Sequence, residues 1–361
     1  MNTVDLSAMQ KALSLVRAGR LSEATAVIQS TISPAPKEIA SGRDAETTWA
    51  AHTDAQDLVF KPTITDSFQP WQDEIVLDAT QGSVPSSVIE SLMPNKRGGL
   101  AYRLFVPAQN TPPSQAPLIV MLHGCQQNAK DFAAGSQMDR HAGEQGCFVL
   151  YPQQSSHANP GACWNWFKHT HQARERGEPQ AIITLITHIL ATYPIDAKRI
   201  YVAGLSAGGA MAAILGEQYP EIFAAVGVHS GLPTGIARSL PDALQSMRGI
   251  GLHAPKKPLL VPTIVFHGDA DATVSLANAR HFADAMAFQS ASTAETMTGK
   301  EGRAFTREIY RRPDNVIIGE YWCIEGAGHA WSGGSRMGSF ADPLGPDASA
   351  QMIRFFNETS N

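Results

Sequence analysis

Ser206 is the centre of a glycine-flanked sequence, Gly204-Leu205-Ser206-Ala207-Gly208, that follows an apolar run and precedes a helical one. The glycines permit a sharp turn from strand to helix, where a Cβ would collide with the neighbouring strand and helix. Such a turn exposes the serine hydroxyl and aims the N–H groups of a helix N-terminus at a developing oxyanion. The pattern predicts that Ser206 is a nucleophile. The alternative is a tight turn with a capping serine.

A serine hydroxyl becomes a good nucleophile only when a base takes its proton, which directs attention to the histidines. His329 follows the last apolar run, and the glycines around it let its loop approach Ser206. We therefore predict that His329 is the base, the alternative being a surface histidine. His229, at the end of an earlier apolar run, is the second candidate base and otherwise lines the pocket floor. His123 and His267 each open a His-Gly turn and are expected to bind backbone atoms.

The carboxylate that orients the base should lie between the serine and the histidine in the chain, in the order Ser, Asp, His. The sequence HGDADATV offers Asp269 and Asp271 directly after a strand-like run. Asp271 lies beyond the turn and is followed by an apolar residue that can anchor the loop, whereas Asp269 is better placed to cap the turn. We predict Asp271 as the acid. Either residue could instead form an Asx turn.

Two backbone N–H groups are needed to stabilise a tetrahedral oxyanion. One is predicted to be that of Ala207, directly after the serine, and the other that of Cys125 in the loop HGCQQ, residues 123–127. The glycine of this loop allows close backbone approach, although the loop could also be a simple strand-exit turn. Together these residues predict nucleophilic acyl transfer without a metal or an organic cofactor.

Apolar runs of strand length alternate with helical segments from residue 98 onward, which predicts an α/β fold with a mostly parallel sheet covered by helices on both faces. Two of these runs, 100–107 and 303–311, are expected to be antiparallel strands near the sheet edges. In such sheets the ligand binds at the carboxyl ends of the strands. The predicted organisation is a helical hairpin at 1–30, a linker or wrapping segment at 31–97, and a catalytic domain at 98–361.

Composition excludes several classes of protein. The 361 residues are 43% hydrophobic and 17% charged, as in ordinary globular proteins. A net charge of −5 does not favour binding to nucleic acid or to an anionic membrane. No run is long and apolar enough to span a membrane, and no signal peptide is visible, so a cytoplasmic location is predicted unless an export signal precedes Met1. The four cysteines lack metal-ligand spacing. The oligomeric state is not predicted.

Five blocks of sequence resemble the α/β-hydrolases related to poly(3-hydroxybutyrate) depolymerases, a family that is also similar to feruloyl and acetylxylan esterases. The blocks are HGCQQN at 123–128, NPGACWNWF at 159–167, GLSAGGAM at 204–211, HGDADATV at 267–274 and GAGHAWSGG at 326–334. The resemblance implies Ser206 as nucleophile, Asp271 as acid, His329 as base, and the N–H groups of Cys125 and Ala207 as oxyanion donors, in agreement with the residue-based prediction.

The resemblance implies a serine carboxylesterase acting on 3-hydroxybutyrate-type oligomers or polyester and on small aryl or alkyl esters. The alternatives are a feruloyl or acetylxylan-type esterase, an acyltransferase with the same triad, and a binding protein whose N-terminal helices dock on a partner or a polymer granule. Secreted depolymerases carry a separate polymer-binding domain, and no such segment follows the last predicted helix. Short soluble esters are therefore the expected substrates.

Three tryptophans and two cysteines lie in the motif loops. Trp164, Trp166 and Trp331 are expected to line an ester pocket and hold an acyl group, the alternative being packing of the loops onto the sheet. Cys125 and Cys163 form either a disulfide bond or two free thiols.

Overall fold

The computed structural model describes residues 83–94, 99–110, 115–255, 257–298 and 302–359. The chain divides into two units, Met1–Val76 and Leu77–Asn361, of which the first lies wholly outside the described residues. The predicted hairpin at 1–30 and most of the predicted linker at 31–97 therefore fall outside them as well. In the second unit, ten strands form one sheet, flanked by seven α-helices within the described ranges.

The strands and helices are numbered in chain order. The strands are β1 (Ser83–Val84), β2 (Ser87–Met93), β3 (Leu100–Val106), β4 (Gln109–Asn110), β5 (Ala116–Leu122), β6 (Phe148–Gln153), β7 (Ile195–Leu205), β8 (Ala225–His229), β9 (Thr263–Gly268), β10 (Ala291–Thr298), β11 (Ala304–Arg311), β12 (Ile317–Ile324), β13 (Trp331–Ser332) and β14 (Ala341–Asp342). The helices are α1 (Ala129–Ser136), α2 (Met138–Glu144), α3 (Gly177–Thr192), α4 (Ala207–Gln218), α5 (Leu240–Met247), α6 (Ala277–Met286) and α7 (Ala348–Thr359).

The strand order of the large sheet is β10-β11-β12-β9-β8-β7-β5-β6-β3-β2. The six strands from β12 to β6 pair in parallel, and antiparallel pairs complete the sheet at both edges. This arrangement confirms the α/β-hydrolase prediction of a mostly parallel sheet. The predicted antiparallel strands correspond to β3 and β11, and β2 lies outside β3 at the sheet edge although the sequence placed it in the linker.

Alternate residues of β5 explain why helices cover both faces of the sheet. Leu118, Val120 and Leu122 belong to a core shared with α3, α4, α5 and α6. Ile119 and Met121 belong to a second core shared with α1, α2 and α7. Successive side chains of a strand point to opposite faces, so an unbroken apolar run requires two apolar layers. In the described part of the chain, no helix combines the length and apolar character needed to cross a membrane.

The parallel strands deliver the motif loops to one edge. β5, β7, β9 and β12 end directly before the loops that carry Cys125, Ser206, Asp271 and His329. Because parallel strands run in the same direction, their carboxyl ends meet at the same edge, where α/β folds bind ligands. The fold therefore brings together residues that are more than two hundred positions apart in the sequence.

Candidate active site

Ser206 lies in a strained turn between β7 and α4. Its backbone has φ 57° and ψ −119°, in the left-handed range of φ that side chains rarely adopt. A Cβ on Gly208 would lie 2.0 Å from the Leu122 carbonyl oxygen, and one on Gly204 would lie 2.4 Å from the Gly208 carbonyl carbon. Both positions therefore require glycine. The turn is held by a hydrogen bond of 2.8 Å from the Ser206 N–H to the His229 carbonyl oxygen.

Asp271 and His329 are in direct contact. His329 Nδ1 lies 2.7 Å from Asp271 Oδ2, and because a carboxylate oxygen can only accept, Nδ1 carries the proton and Nε2 the free lone pair. The other oxygen, Oδ1, accepts hydrogen bonds of 2.9 Å from the N–H groups of Thr273 and Val274. Burial raises the pKa of Asp271, but the His329 ring and the Val274 N–H outweigh it and lower that pKa to about 2. The carboxylate is therefore ionised at neutral pH.

Asp269 has a different partner from Asp271. Its Oδ1 accepts a hydrogen bond of 2.7 Å from the N–H of Gly326, at the start of the loop that carries His329. Asp269 thus fastens this loop to the end of β9, as expected for a turn-capping residue. Of the two candidate acids, Asp271 is the one that contacts His329.

The Ser206 hydroxyl and the His329 ring are not joined by a hydrogen bond in the residues that the structure describes. In serine hydrolases without substrate this contact is often long and shortens on binding. His329 retains some side-chain exposure, 12%, whereas the Asp271 side chain is fully buried. The imidazole is therefore the accessible member of this pair.

The loop that carries Cys125 lies against the serine turn. A Cβ on Gly124 would be 3.5 Å from the Ser206 Cβ, and the Gly124 N–H donates to Gln127 Oε1 at 3.0 Å. Ala207 is the first residue of α4, on the other side of Ser206. The two backbone groups predicted to stabilise an oxyanion thus belong to chain segments that flank the serine.

Cys125 forms a disulfide bond with Cys163, which decides between the two alternatives that the sequence left open. Cys147 and Cys323 are free thiols. The bond ties the loop after β5 to the Trp-containing loop that follows β6. Disulfides form in oxidising compartments and are rare in the cytosol. This bond is thus at odds with a cytoplasmic location, which stays a prediction.

His229 is not placed to act as a base or to line an open pocket floor, contrary to the sequence-based expectation. The residue is 1% exposed. Its Nε2 already accepts a hydrogen bond of 3.0 Å from the Ser332 N–H, and its ring stacks on Trp331. Burial is the main reason that its pKa is lowered to about 3, so the ring is neutral at pH 7. His229 supports the strand after the His329 loop.

We expect this buried histidine to make stability fall in acid. Below the ordinary histidine pKa of 6.5 the unfolded chain binds a proton that the folded His229, with a pKa of about 3, does not. Unfolding therefore becomes easier as the pH drops from 6.5 toward 3, by up to roughly 1 kcal/mol per pH unit from this group. Between pH 6.5 and pH 3 the melting temperature of the wild type should fall more steeply than that of His229→Gln. Parallel curves for the two proteins would contradict the conclusion that the folded His229 stays neutral.

The tryptophans predicted to line an acyl pocket are packed in the core. Trp331 and Trp164 are each 1% exposed and Trp166 is 6% exposed. The Trp331 indole N–H donates to Ser349 Oγ at 3.0 Å, and its ring meets Phe132 edge to face. Side chains with so little exposed surface offer no pocket wall, so the expected role in substrate binding is wrong for Trp331 and Trp164. The physical reason is that both loops fold back onto the sheet.

Trp331→Ala should therefore lower stability rather than change substrate preference. Removing a buried aromatic side chain costs about 3–5 kcal/mol of unfolding free energy. Phe340→Ala is the control. The Phe340 carbonyl oxygen accepts the backbone N–H of Trp331, but the Phe340 residue is 40% exposed, so we expect only a small loss of unfolding free energy. Urea unfolding measures both. A stable Trp331→Ala variant with altered acyl-chain preference would restore the pocket role.

Glu178 is a buried residue that the sequence reasoning did not single out. It is 9% exposed, and its carboxylate accepts hydrogen bonds from Gln154 and Asn165 near the motif loops. An acidic residue in the first turn of a helix is ordinarily solvent-exposed and is favoured by the helix dipole. The sequence around Glu178 therefore gave no sign that this residue is buried. In the described residues, no group of three or more His, Cys, Asp or Glu side chains is arranged to hold a metal ion.

Known proteins that are similar to this chain include depolymerases and esterases. A family model described as "Esterase PHB depolymerase" matches residues 100–308. Poly(3-hydroxyalkanoate) depolymerase C of Paucimonas lemoignei is 29% identical over 277 residues, covering 71% of this chain and 64% of that protein. A probable acetylxylan esterase A of Aspergillus fumigatus is 30% identical over 172 residues, covering 47% of this chain and 43% of that protein. The chain thus spans less than two thirds of the length of these relatives.

Among solved structures, an acetyl xylan esterase from Aspergillus awamori superimposes with a TM-score of 0.58 at 18% identity. The match covers 75% of this chain and 99% of that structure. At this level of identity the likeness concerns the fold.

Proposed function

The chain belongs to the esterase PHB depolymerase family, and from that premise we propose that it hydrolyses ester bonds as a serine carboxylesterase for 3-hydroxyalkanoate-type esters. Its proposed substrates are oligomers or polyester of the 3-hydroxybutyrate type and small aryl or alkyl esters. The relative from Paucimonas lemoignei supports this substrate class by its name. The observation that carries the proposal is the Asp271–His329 contact of 2.7 Å at the sheet edge where Ser206 occupies its strained turn.

In the proposed first half-reaction, Ser206 Oγ attacks the ester carbonyl carbon and its proton passes to His329 Nε2. Asp271 keeps the other ring nitrogen protonated and stabilises the imidazolium. The carbonyl oxygen becomes an oxyanion, which the N–H groups of Cys125 and Ala207 stabilise. Collapse of this intermediate breaks the ester C–O bond, and His329 gives its proton to the departing alcohol. The acyl group remains on Ser206.

In the second half-reaction, water repeats these steps. His329 takes a proton from the water as its oxygen attacks the acyl carbon, and the same two N–H groups stabilise the second oxyanion. The bond between the acyl carbon and Ser206 Oγ then breaks, and His329 returns the proton to Ser206 Oγ. The products are a carboxylic acid and the regenerated enzyme. These steps need only side-chain and backbone groups of the chain and water.

A panel of esters at equal enzyme concentration tests the proposal. The panel contains p-nitrophenyl esters, soluble 3-hydroxybutyrate trimer, amorphous granules, crystalline film, feruloyl esters and acetylated xylan. We expect the trimer and the small esters to be cleaved much faster than the film. Faster cleavage of acetylated xylan than of the trimer would favour the second candidate, an acetylxylan esterase, which the Aspergillus fumigatus relative supports. Ester exchange with added alcohols that outpaces hydrolysis would indicate an acyltransferase.

A further inference from the structure

Glu178 is a buried carboxylate that the proposed mechanism does not use. It is the second residue of α3, and its two oxygens receive three hydrogen bonds. Oε2 accepts the Asn165 N–H at 2.7 Å, while Oε1 accepts the Asn165 side-chain amide at 2.5 Å and the Gln154 side-chain amide at 2.6 Å. A single side chain thus holds two points, Gln154 and Asn165, of the loop that follows β6.

The charge of Glu178 is stabilised where it lies. Burial raises the pKa of this carboxyl, but the His171 ring and the hydrogen bonds from Asn165 outweigh burial and lower it below its usual range. The His171 Nδ1 lies 3.3 Å from Oε2, and the N-terminus of α3 also favours a negative charge. Charged acceptors form stronger hydrogen bonds than neutral ones, so the loop after β6 is held firmly.

Gln154 extends this network to the loop that carries Cys125. Its backbone N–H donates to His123 Nε2 at 3.0 Å, so the proton of the His123 ring is on Nδ1. That Nδ1 donates to the Gly124 carbonyl oxygen at 2.8 Å. In a planar trans peptide the C=O and the following N–H point in opposite directions. Fixing the Gly124 carbonyl therefore fixes the direction of the Cys125 N–H.

A second route reaches the same loop through Cys163. The Gln154 side-chain amide also donates to the Cys163 carbonyl oxygen at 3.1 Å, and Cys163 is bonded to Cys125. The Gln126 N–H donates to the Gly161 carbonyl oxygen at 2.8 Å. The loop of the predicted oxyanion donor is thus fastened on both sides to segments that contact Glu178.

We propose that Glu178 is the positioning residue of the oxyanion hole, acting through Gln154 and Asn165 on the peptide group that ends in the Cys125 N–H. The inference rests on the proposed esterase function. A donor works only when it lies about 3 Å from the place where the oxyanion forms, and a displacement of about 1 Å can cost on the order of 10²-fold in rate. Glu178 touches neither substrate nor the reacting atoms, so its effect is on the geometry of the transition state.

Glu178→Gln is the direct test. The glutamine side chain has the same shape, but its amide group would face at least one of the three donors and lose that hydrogen bond. We expect kcat to fall about 10- to 100-fold with KM changed less than about threefold, because the oxyanion exists only in the transition state. The inhibition constant of phenylboronic acid, whose tetrahedral adduct with Ser206 imitates the oxyanion, should rise by the same factor.

Glu320→Gln is the matched control. Glu320 on β12 is also buried, at 0% exposure, and bonds to Arg307, Arg354 and Trp322 away from the loops described above. This variant should lose stability while kcat and boronic acid affinity stay near wild type at temperatures where it is folded. Equal losses of kcat in the two variants, or a Glu178→Gln variant with wild-type kcat, would overturn the proposal.

A third variant covers the case in which Glu178→Gln does not fold. Gln154→Met removes all three hydrogen bonds of that side chain, which join it to Cys163, Glu178 and Ser155, and keeps its volume. It should show the same pairing of lower kcat and weaker boronic acid binding. An unchanged kcat in Gln154→Met would overturn the inference. Failure of the proposed function can be told apart from failure of this inference. If the proposed function is wrong, the wild-type protein itself will neither hydrolyse esters nor react at Ser206, and this is measured before any variant is made.

Discussion

Ser206→Ala should lose ester hydrolysis by a factor of about 10⁴ or more while remaining folded. The serine is the only member of the proposed triad that forms a bond to substrate, so no other group replaces it. Within the described residues the Ser206 side chain makes no capping hydrogen bond to α4, and alanine fits the same turn because the neighbouring glycines remain. Initial rates on p-nitrophenyl butyrate and far-ultraviolet circular dichroism of the same sample measure the two effects.

Ser136→Ala is the control for this variant. Ser136 is also buried, at 2% exposure, and lies at the end of α1. A fluorophosphonate probe should label the wild type and Ser136→Ala but leave Ser206→Ala unlabelled. If Ser206→Ala kept a tenth of the wild-type rate, with contaminating esterases excluded, Ser206 could not be the nucleophile.

Asp271→Asn should lower kcat by about 10⁴-fold, whereas Asp269→Asn should stay within about tenfold of the wild type. An asparagine at 271 can present its amide group to His329 and so favours the tautomer in which Nε2 carries the proton and cannot accept one. An asparagine at 269 keeps the oxygen that accepts the Gly326 N–H. The two variants make the same chemical change two residues apart, so each controls for the other.

The pH dependence distinguishes this explanation from a general loss of charge. The pKa of Asp271 is about 2, so the carboxylate is ionised at every pH well above that value. Lowering the pH to about 4 should therefore leave the wild-type carboxylate ionised, so the loss of activity in Asp271→Asn should be present across the pH range in which the enzyme is active. Equal defects in the two asparagine variants, or wild-type activity that is highest near about pH 4, would reassign the acid or the base.

Local sequence was sufficient to predict the turn that holds Ser206. Ser206 stands between glycines whose missing Cβ atoms are required by contacts under 3 Å, and that requirement is visible in the sequence. The strands β5 and β9 and the second half of β7 were recognisable because they are buried on both faces and hence almost wholly apolar. The strand β2 was not, since at the sheet edge its side chains are at most half-buried and its composition resembles that of a loop.

Burial that depends on distant parts of the chain was not predictable. Whether Trp331 in β13 lines a pocket or packs inward depends on Phe132 in α1 and Ser349 in α7. The burial of Glu178 depends on Gln154 and Asn165, which lie in a different element, the loop after β6. Spacing along a sequence carries information about one element at a time, and these contacts join several.

The bond between Cys125 and Cys163 also has a consequence for the unfolded chain. It closes a covalent loop with a sequence separation of 38, which contains α1, α2 and β6. In the chain-entropy treatment, a loop of this length lowers the entropy of the denatured ensemble by the equivalent of about 4 kcal/mol at 25 °C. Reduction would restore that entropy, so the amide protons of β6 should exchange with solvent sooner in the dithiol form than in the disulfide form.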